Sequence, residues 1–115
     1  MRTFTTTDIK KIFGLKIDRQ KDWLTRGYMA PSDQKAAGHG TKNLFSRVDL
    51  YRVGLFLVLS KVTSRGRASE LTRRMSGPRA WQAPNKAYAL KEGVTFIVHP
   101  SDVKAAVDYG VREVL

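Results

Sequence analysis

The sequence predicts a mainly α-helical fold with a small β component, and a few patterns carry that reading. Apolar residues recur at helical spacing in short segments punctuated by glycine, and residues 32–43 interrupt them with a polar, glycine-rich stretch. Val94-Thr95-Phe96-Ile97-Val98, after the turn dipeptide Glu92-Gly93, has the β-branched and aromatic make-up that strands favour. Hydrophobic residues make up 42% of the 115 and charged residues 27%, so the chain has apolar material for a core and is not composed like a disordered tail.

The first helix is expected over Asp8 to Phe13, where Ile9, Ile12 and Phe13 share a face and one of Thr5, Thr6 and Thr7 can cap the start. Gly14 ends it, Leu15 enters the core, and a second helix follows from Ile17 to Arg26. Its narrow apolar stripe is Ile17, Gln20, Trp23 and Leu24, with Trp23 a core anchor; Lys16, Asp18, Arg19, Lys21 and Asp22 project elsewhere. Gly27 terminates that helix, and Tyr28 to Pro31 begin an extended segment. Residues 32–43, SDQKAAGHGTKN, contain no apolar side chain larger than alanine and read as an exposed hairpin or loop.

A third helix starts at Ser46 and extends to about Val62, apolar around most of its circumference, which suits either a central core helix or one paired with a second chain. Ser64 to Gly66 read as a break, Ala68 to Met75 as a fourth helix with Leu71 and Met75 inside, and residues 78–86 as a connector in which Trp81 is anchored. Tyr88 to Lys91 and Val94 to His99 form a β-hairpin. Pro100-Ser101-Asp102 start a last helix, Val103 to Tyr109, that Gly110 closes before an apolar tail. The chain divides on this reading into a head, 1–77, and a smaller segment, 78–115, with a role in dimerisation, in packing on the head, in pairing with a second subunit's sheet edge or in holding an apolar effector.

Helix, glycine turn, helix, polar wing and apolar helix is the order of a winged helix-turn-helix head, here followed by a β-hairpin plus helix appendage. Charge agrees with a polyanionic partner: 21 Lys and Arg against 10 Asp and Glu give +11, and residues 1–65 hold 13 basic and 5 acidic side chains (+8). The longest apolar run, Gly54 to Leu59, is too short to span a bilayer, and the N-terminus lacks the pattern of a secretory signal. With no cysteine, thiolate metal sites and disulfides are excluded, which is compatible with a reducing cytoplasm. His39 and His99 have no carboxylate or thiol pattern around them, and no metal or cofactor is expected. Phosphate-cradling glycine loops, zinc-protease and nucleophile-elbow motifs are missing, so no enzyme is expected.

Residues 4–75 resemble the MerR-like regulators and their phage excisionase relatives. The resemblance rests on Phe4-Thr5, Ile9, Gly14-Leu15, Trp23-Leu24, Gly27-Tyr28, Pro31, Phe45-Ser46 and Asp49-Leu50, with thirteen positions from Gly14 to Gly27. It implies a sequence-specific binder of double-stranded DNA that regulates transcription as a homodimer, with helix 17–26 in the major groove and wing 32–43 on the adjacent backbone; an excisionase or packaging-type architectural role and RNA binding are the alternatives. By position, groove contacts fall on Lys16, Asp18, Arg19, Lys21 and Asp22, and wing contacts on His39, Thr41, Lys42 and Asn43. Arg19 and Lys21 suit guanine or phosphate, whereas Asp18 or Asp22 could accept from cytosine or repel backbone. Tyr28 is divided between core and phosphate contact. The family's long C-terminal coiled coil is missing, so a dimer must be built differently.

Overall fold

The computed structural model describes residues 2–32, 34–35, 42–75, 78–83, 86–91 and 93–115. Among them the fold is mainly helical, with five helices and one two-stranded antiparallel hairpin. Helix α1 (Thr6–Phe13) starts in a reciprocal cap: the Asp8 amide donates to Thr5 Oγ1 at 3.3 Å and the Thr5 amide to Asp8 Oδ2 at 3.0 Å. Gly14, at φ 68°, ends it in the left-handed conformation that costs a residue without Cβ little. Helix α2 (Ile17–Arg26) ends the same way at Gly27.

The turn between these helices is held by a buried amide. Gln20, fully buried, donates through Nε2 to the carbonyl oxygens of Thr6 and Leu15, each at 2.9 Å. Next to it on the same inner side of α2, Trp23 meets Phe56 edge to face at 4.8 Å between ring centroids. Helix α2 is therefore fixed to α1 by hydrogen bonds and to the third helix by an aromatic anchor.

Backbone pairing joins the segments on either side of residues 35–43. Gln34 and Leu44 exchange both backbone hydrogen bonds at 3.1 and 2.7 Å, and Phe4 and Phe45 exchange theirs at 2.8 Å. Phe4 and Phe45 are also among the most buried side chains, so this pairing sits at the edge of the core.

Helix α3 (Arg47–Leu59) has the same reciprocal cap, between Ser46 and Asp49. Asp49 is buried, and its Oδ2 also accepts from the Ser32 amide at 2.8 Å and hydroxyl at 2.7 Å, which pins the segment entering residues 33–43 to the start of α3. The helix stops at Leu59, short of the expected Val62, because Ser60 to Thr63 turn back on it through hydrogen bonds to Phe56, Val58 and Leu59. Its all-round apolarity is used within the chain: α2 covers it through Trp23, while α4 (Arg65–Arg73) and α5 (Pro100–Val114) pack on its other sides.

The boundaries of these last helices correct the sequence reading. Ser64 does not break α4 but caps it, accepting from the Arg67 amide at 3.2 Å, and Gly66 lies in its first turn. Gly110 does not end α5. It lies against α1, where a Cβ would stand 3.3 Å from Ile12 Cγ2, and the burial of Val107 and Val111 on either side offsets the low helix propensity of glycine. Gly54 of α3 admits the same helix closely, since a Cβ there would stand 3.0 Å from Val107 Cγ2.

Strands β1 (Lys86–Lys91) and β2 (Val94–Val98) pair antiparallel around Gly93, with β1 starting two residues before the expected Tyr88. Tyr88 and Val98 are buried, and the connecting 3₁₀ turn Pro78–Gln82 seats Trp81, fully buried, at 5.6 Å from the Tyr51 ring. Trp81, Tyr88, Val98, Val107 and Val111 belong to the same hydrophobic cluster as Phe4, Ile9 and Trp23.

One charged clasp ties α5 to α3. Asp108 accepts from Arg47 Nη1 at 2.8 Å, from the Tyr51 hydroxyl at 2.7 Å and from Lys104 Nζ at 2.9 Å. Burial by itself would raise the Asp108 carboxyl, but hydrogen bonds from Tyr51, Lys104 and Arg47 outweigh it and hold the group below the ordinary carboxylate value. Burial and donation to Asp108 push the Tyr51 hydroxyl up.

Candidate nucleic-acid interface

Helix α2 presents one face to the core and the other to water. Gln20 and Trp23 are buried, whereas Lys16, Asp18, Arg19, Lys21 and Asp22 are exposed. The spacing explains the split: residues 20, 23 and 24 follow one another around the inner side, and residues 18, 19 and 22 fall on the outer one.

Two depressions flank that outer face. One, of about 310 Å³, is lined by Thr5, Thr6 and Thr7 at the start of α1, by Ile17, Gln20, Lys21 and Leu24 of α2, and by Lys42 and Asn43. The other, of about 370 Å³, is lined by Lys16, Asp18, Arg19, Asp22 and Arg65. Helix α2 thus forms a ridge with the residue 42–43 segment on one flank and the start of α4 on the other.

The structure gathers seven of the ten expected site residues into these two groups. Lys21, Lys42 and Asn43 share the first depression, and Lys16, Asp18, Arg19 and Asp22 the second. Tyr28 stands apart: its ring stacks on Phe56 at 5.3 Å with 28° between planes, and it lines a different hollow with Asp49 and Arg52. His39 and Thr41 lie outside the described residues.

The charges on this ridge differ in how they are engaged. Asp22 is bound to Arg26 Nε at 3.0 Å, an exposed i,i+4 pair in which the carboxylate raises the guanidinium further above its ordinary value. Among the described residues Lys16, Arg19, Lys21 and Arg65 form no ion pair. Other arginines are held: Arg47 by Asp108, Arg52 by Asp49, and Arg67 and Arg74 by Glu70. Four cations with no ion pair among the described residues lie on and beside α2, where an external anion can meet them.

Arg65 was not singled out from the sequence. It is 46 positions from Arg19 and joins it only because α3 and α4 are connected by the tight turn at residues 60–64. The signal for it was local and modest, a basic residue directly after the Ser64 cap.

Comparison with family models, with curated proteins and with solved structures returns no match for this chain. No helix among the described residues is long and apolar enough to cross a membrane.

Proposed function

We propose that this chain is a double-stranded DNA-binding protein with a winged helix-turn-helix head of MerR-like type, serving as a transcriptional regulator. The observation that carries the reading is the ridge itself: α2 and its cap residue project Lys16, Arg19 and Lys21 with no ion pair among the described residues, flanked by Lys42 and Arg65. Helix α2 would enter the major groove, with Arg19 reading a guanine edge or a phosphate, while Lys42 on one side and Arg65 on the other meet the backbone strands that border the groove. The bridges Gln34–Leu44 and Phe4–Phe45 support residues 35–43 as the wing, because they close the two ends of that segment on each other and tie its C-terminal end to the residue before the α1 cap, where Lys42 and Asn43 share a hollow with α2. The chain works on this reading as a binder and not as an enzyme, and as a homodimer on a two-fold DNA site.

The experiment is fluorescence anisotropy with random duplex DNA, single-stranded DNA and structured RNA across a salt series. If Lys16, Arg19, Lys21, Lys42 and Arg65 each neutralise a phosphate, log K falls against log salt with a slope of roughly −4 to −5 per head. Duplex should bind best, and Arg19→Ala should weaken it by about 1–3 kcal/mol. Tighter binding to RNA, or an Arg19→Ala variant that binds duplex unchanged, refutes the reading and points to RNA or to another partner for the basic face.

A further inference from the structure

We infer that the outer edge of β2 is an interface at which a second copy of this chain adds its own β2, forming a continuous four-stranded antiparallel sheet across a two-fold axis. The inference stands whether or not the chain binds DNA.

The hairpin has two edges of different character. Strand β1 carries Lys86 and Lys91 at its ends, and Leu90 is left unpaired between the Ala89–Thr95 and Lys91–Val94 pairs. Lysines and a bulge are the devices by which natural edge strands discourage further pairing. Strand β2, Val94-Thr95-Phe96-Ile97-Val98, has no charge, proline, glycine or bulge. Among the described residues, no backbone hydrogen bond from 94–98 goes anywhere but to β1. Alternate amides and carbonyls of β2 therefore point away from β1 with no hydrogen-bond partner among the described residues.

The side chains match that asymmetry. Val98 is buried and Phe96 half-buried on the inner face, while Ile97 on the outer face is 60% exposed, the highest value among the large hydrophobic side chains of the described residues. Two strands are marginal as an independent sheet, and a third and fourth strand add ladder bonds and cover apolar surface.

A second copy is the occupant that fits. With the two-fold axis at Phe96, an antiparallel β2–β2 pairing sets Val94 against Val98 and Thr95 against Ile97, so every cross-strand pair is uncharged and the outer face joins Ile97 and Thr95 of both copies. A chain of charge +11 repels itself, but residues 1–65 hold 13 basic and 5 acidic side chains and residues 66–115 hold 8 and 5, so copies meeting through β2 approach by the less charged half.

The test is the oligomeric state of the full chain, by light scattering and sedimentation velocity over a micromolar concentration series. A reversible monomer–dimer equilibrium is expected. The Thr95→Lys/Ile97→Lys variant sets lysine against lysine at both pairs and should raise the dissociation constant by at least about tenfold with unchanged helical circular dichroism. Val58→Lys, in the apolar hollow between α1, α3 and α5, should leave it unchanged. Because the chain has no cysteine, Thr95→Cys/Ile97→Cys should cross-link as a dimer on oxidation, which also serves if the lysine variant fails to fold. A monomer at all concentrations, a dimer sensitive to Val58→Lys but not to the lysine pair, or no cross-link overturns the inference; a 1:1 complex with an added extended peptide in place of self-association overturns it in favour of a peptide partner.

Discussion

Replacing Gln20 tests what fixes the angle between α1 and α2. Its side chain is fully buried and both amide hydrogens are spent, on Thr6 O and Leu15 O at 2.9 Å, while its own Oε1 has no partner among the described residues. In Gln20→Ala two hydrogen bonds worth about 1 kcal/mol each are lost, and the vacated volume adds about 1 kcal/mol. The unpaired Oε1 returns part of this when it leaves, so the net is about 2–3 kcal/mol. At roughly 2.1 cal/mol/K per residue, unfolding 115 residues has an entropy near 0.24 kcal/mol/K, so the midpoint should fall by roughly 8–12 °C. Gln20→Leu keeps the volume and removes only the polar part, and should lie between wild type and alanine. Calorimetry on the three proteins checks the ordering. If Gln20→Leu equals or exceeds wild type in stability, the two hydrogen bonds do not hold α2 on α1 and the account of the turn is wrong.

Asp108→Asn should cost about 1–2 kcal/mol at neutral pH, because a carboxylate held by three donors becomes a neutral amide. The folded carboxyl titrates below its unfolded value near 3.9, so its stabilisation is present above that pH and lost as pH falls toward the folded value; the gap between wild type and variant in urea titrations should close below about pH 4. Gly54→Val should destabilise by about 1–3 kcal/mol in thermal melts, since even its Cβ would stand 3.0 Å from Val107; an unchanged melt would mean α5 is not tightly seated. Arg65→Ala should leave stability within about 0.5 kcal/mol and reduce the salt slope of duplex binding by about 1, measured by anisotropy; an unchanged slope removes Arg65 from the interface.

The first three helices were legible where local chemistry decides local structure. Gly14 and Gly27 stop helices at positions any chain with those neighbours would favour, and Thr5 and Ser46 cap at positions set by residues three further on. The misread boundaries have the opposite cause. Gly110 is a poor helix residue in isolation and is helical because Ile12, about a hundred positions earlier, packs on it. Ser64 carries the same hydroxyl in a break and in a cap, and only the helix that follows distinguishes them. The apolar third helix could be read equally as central or as paired with another chain, because burial by α2, α4 and α5 is a property of the assembled fold and not of the segment. For the site, the exposed face of α2 was fixed by helical spacing, while Arg65 depended on how α3 turns into α4.

The C-terminal segment bears on the candidate interface through its attachment. Asp108 of α5 holds Arg47, and the Arg47 guanidinium lies 5.3 Å over the Phe4 ring. Phe4 in turn exchanges backbone hydrogen bonds with Phe45, one residue from each helix cap, Thr5 before α1 and Ser46 before α3. About two turns further along α3, on the face that carries Arg47, Gly54 packs against Val107, and Gly110 packs against Ile12 of α1. Helix α5 therefore grips α1 and α3 at once, and α2 is suspended from those two through Gln20 and Trp23. The two contacts that orient α2, Gln20 on Thr6 and Trp23 on Phe56, are thus made to the same two helices that α5 packs against.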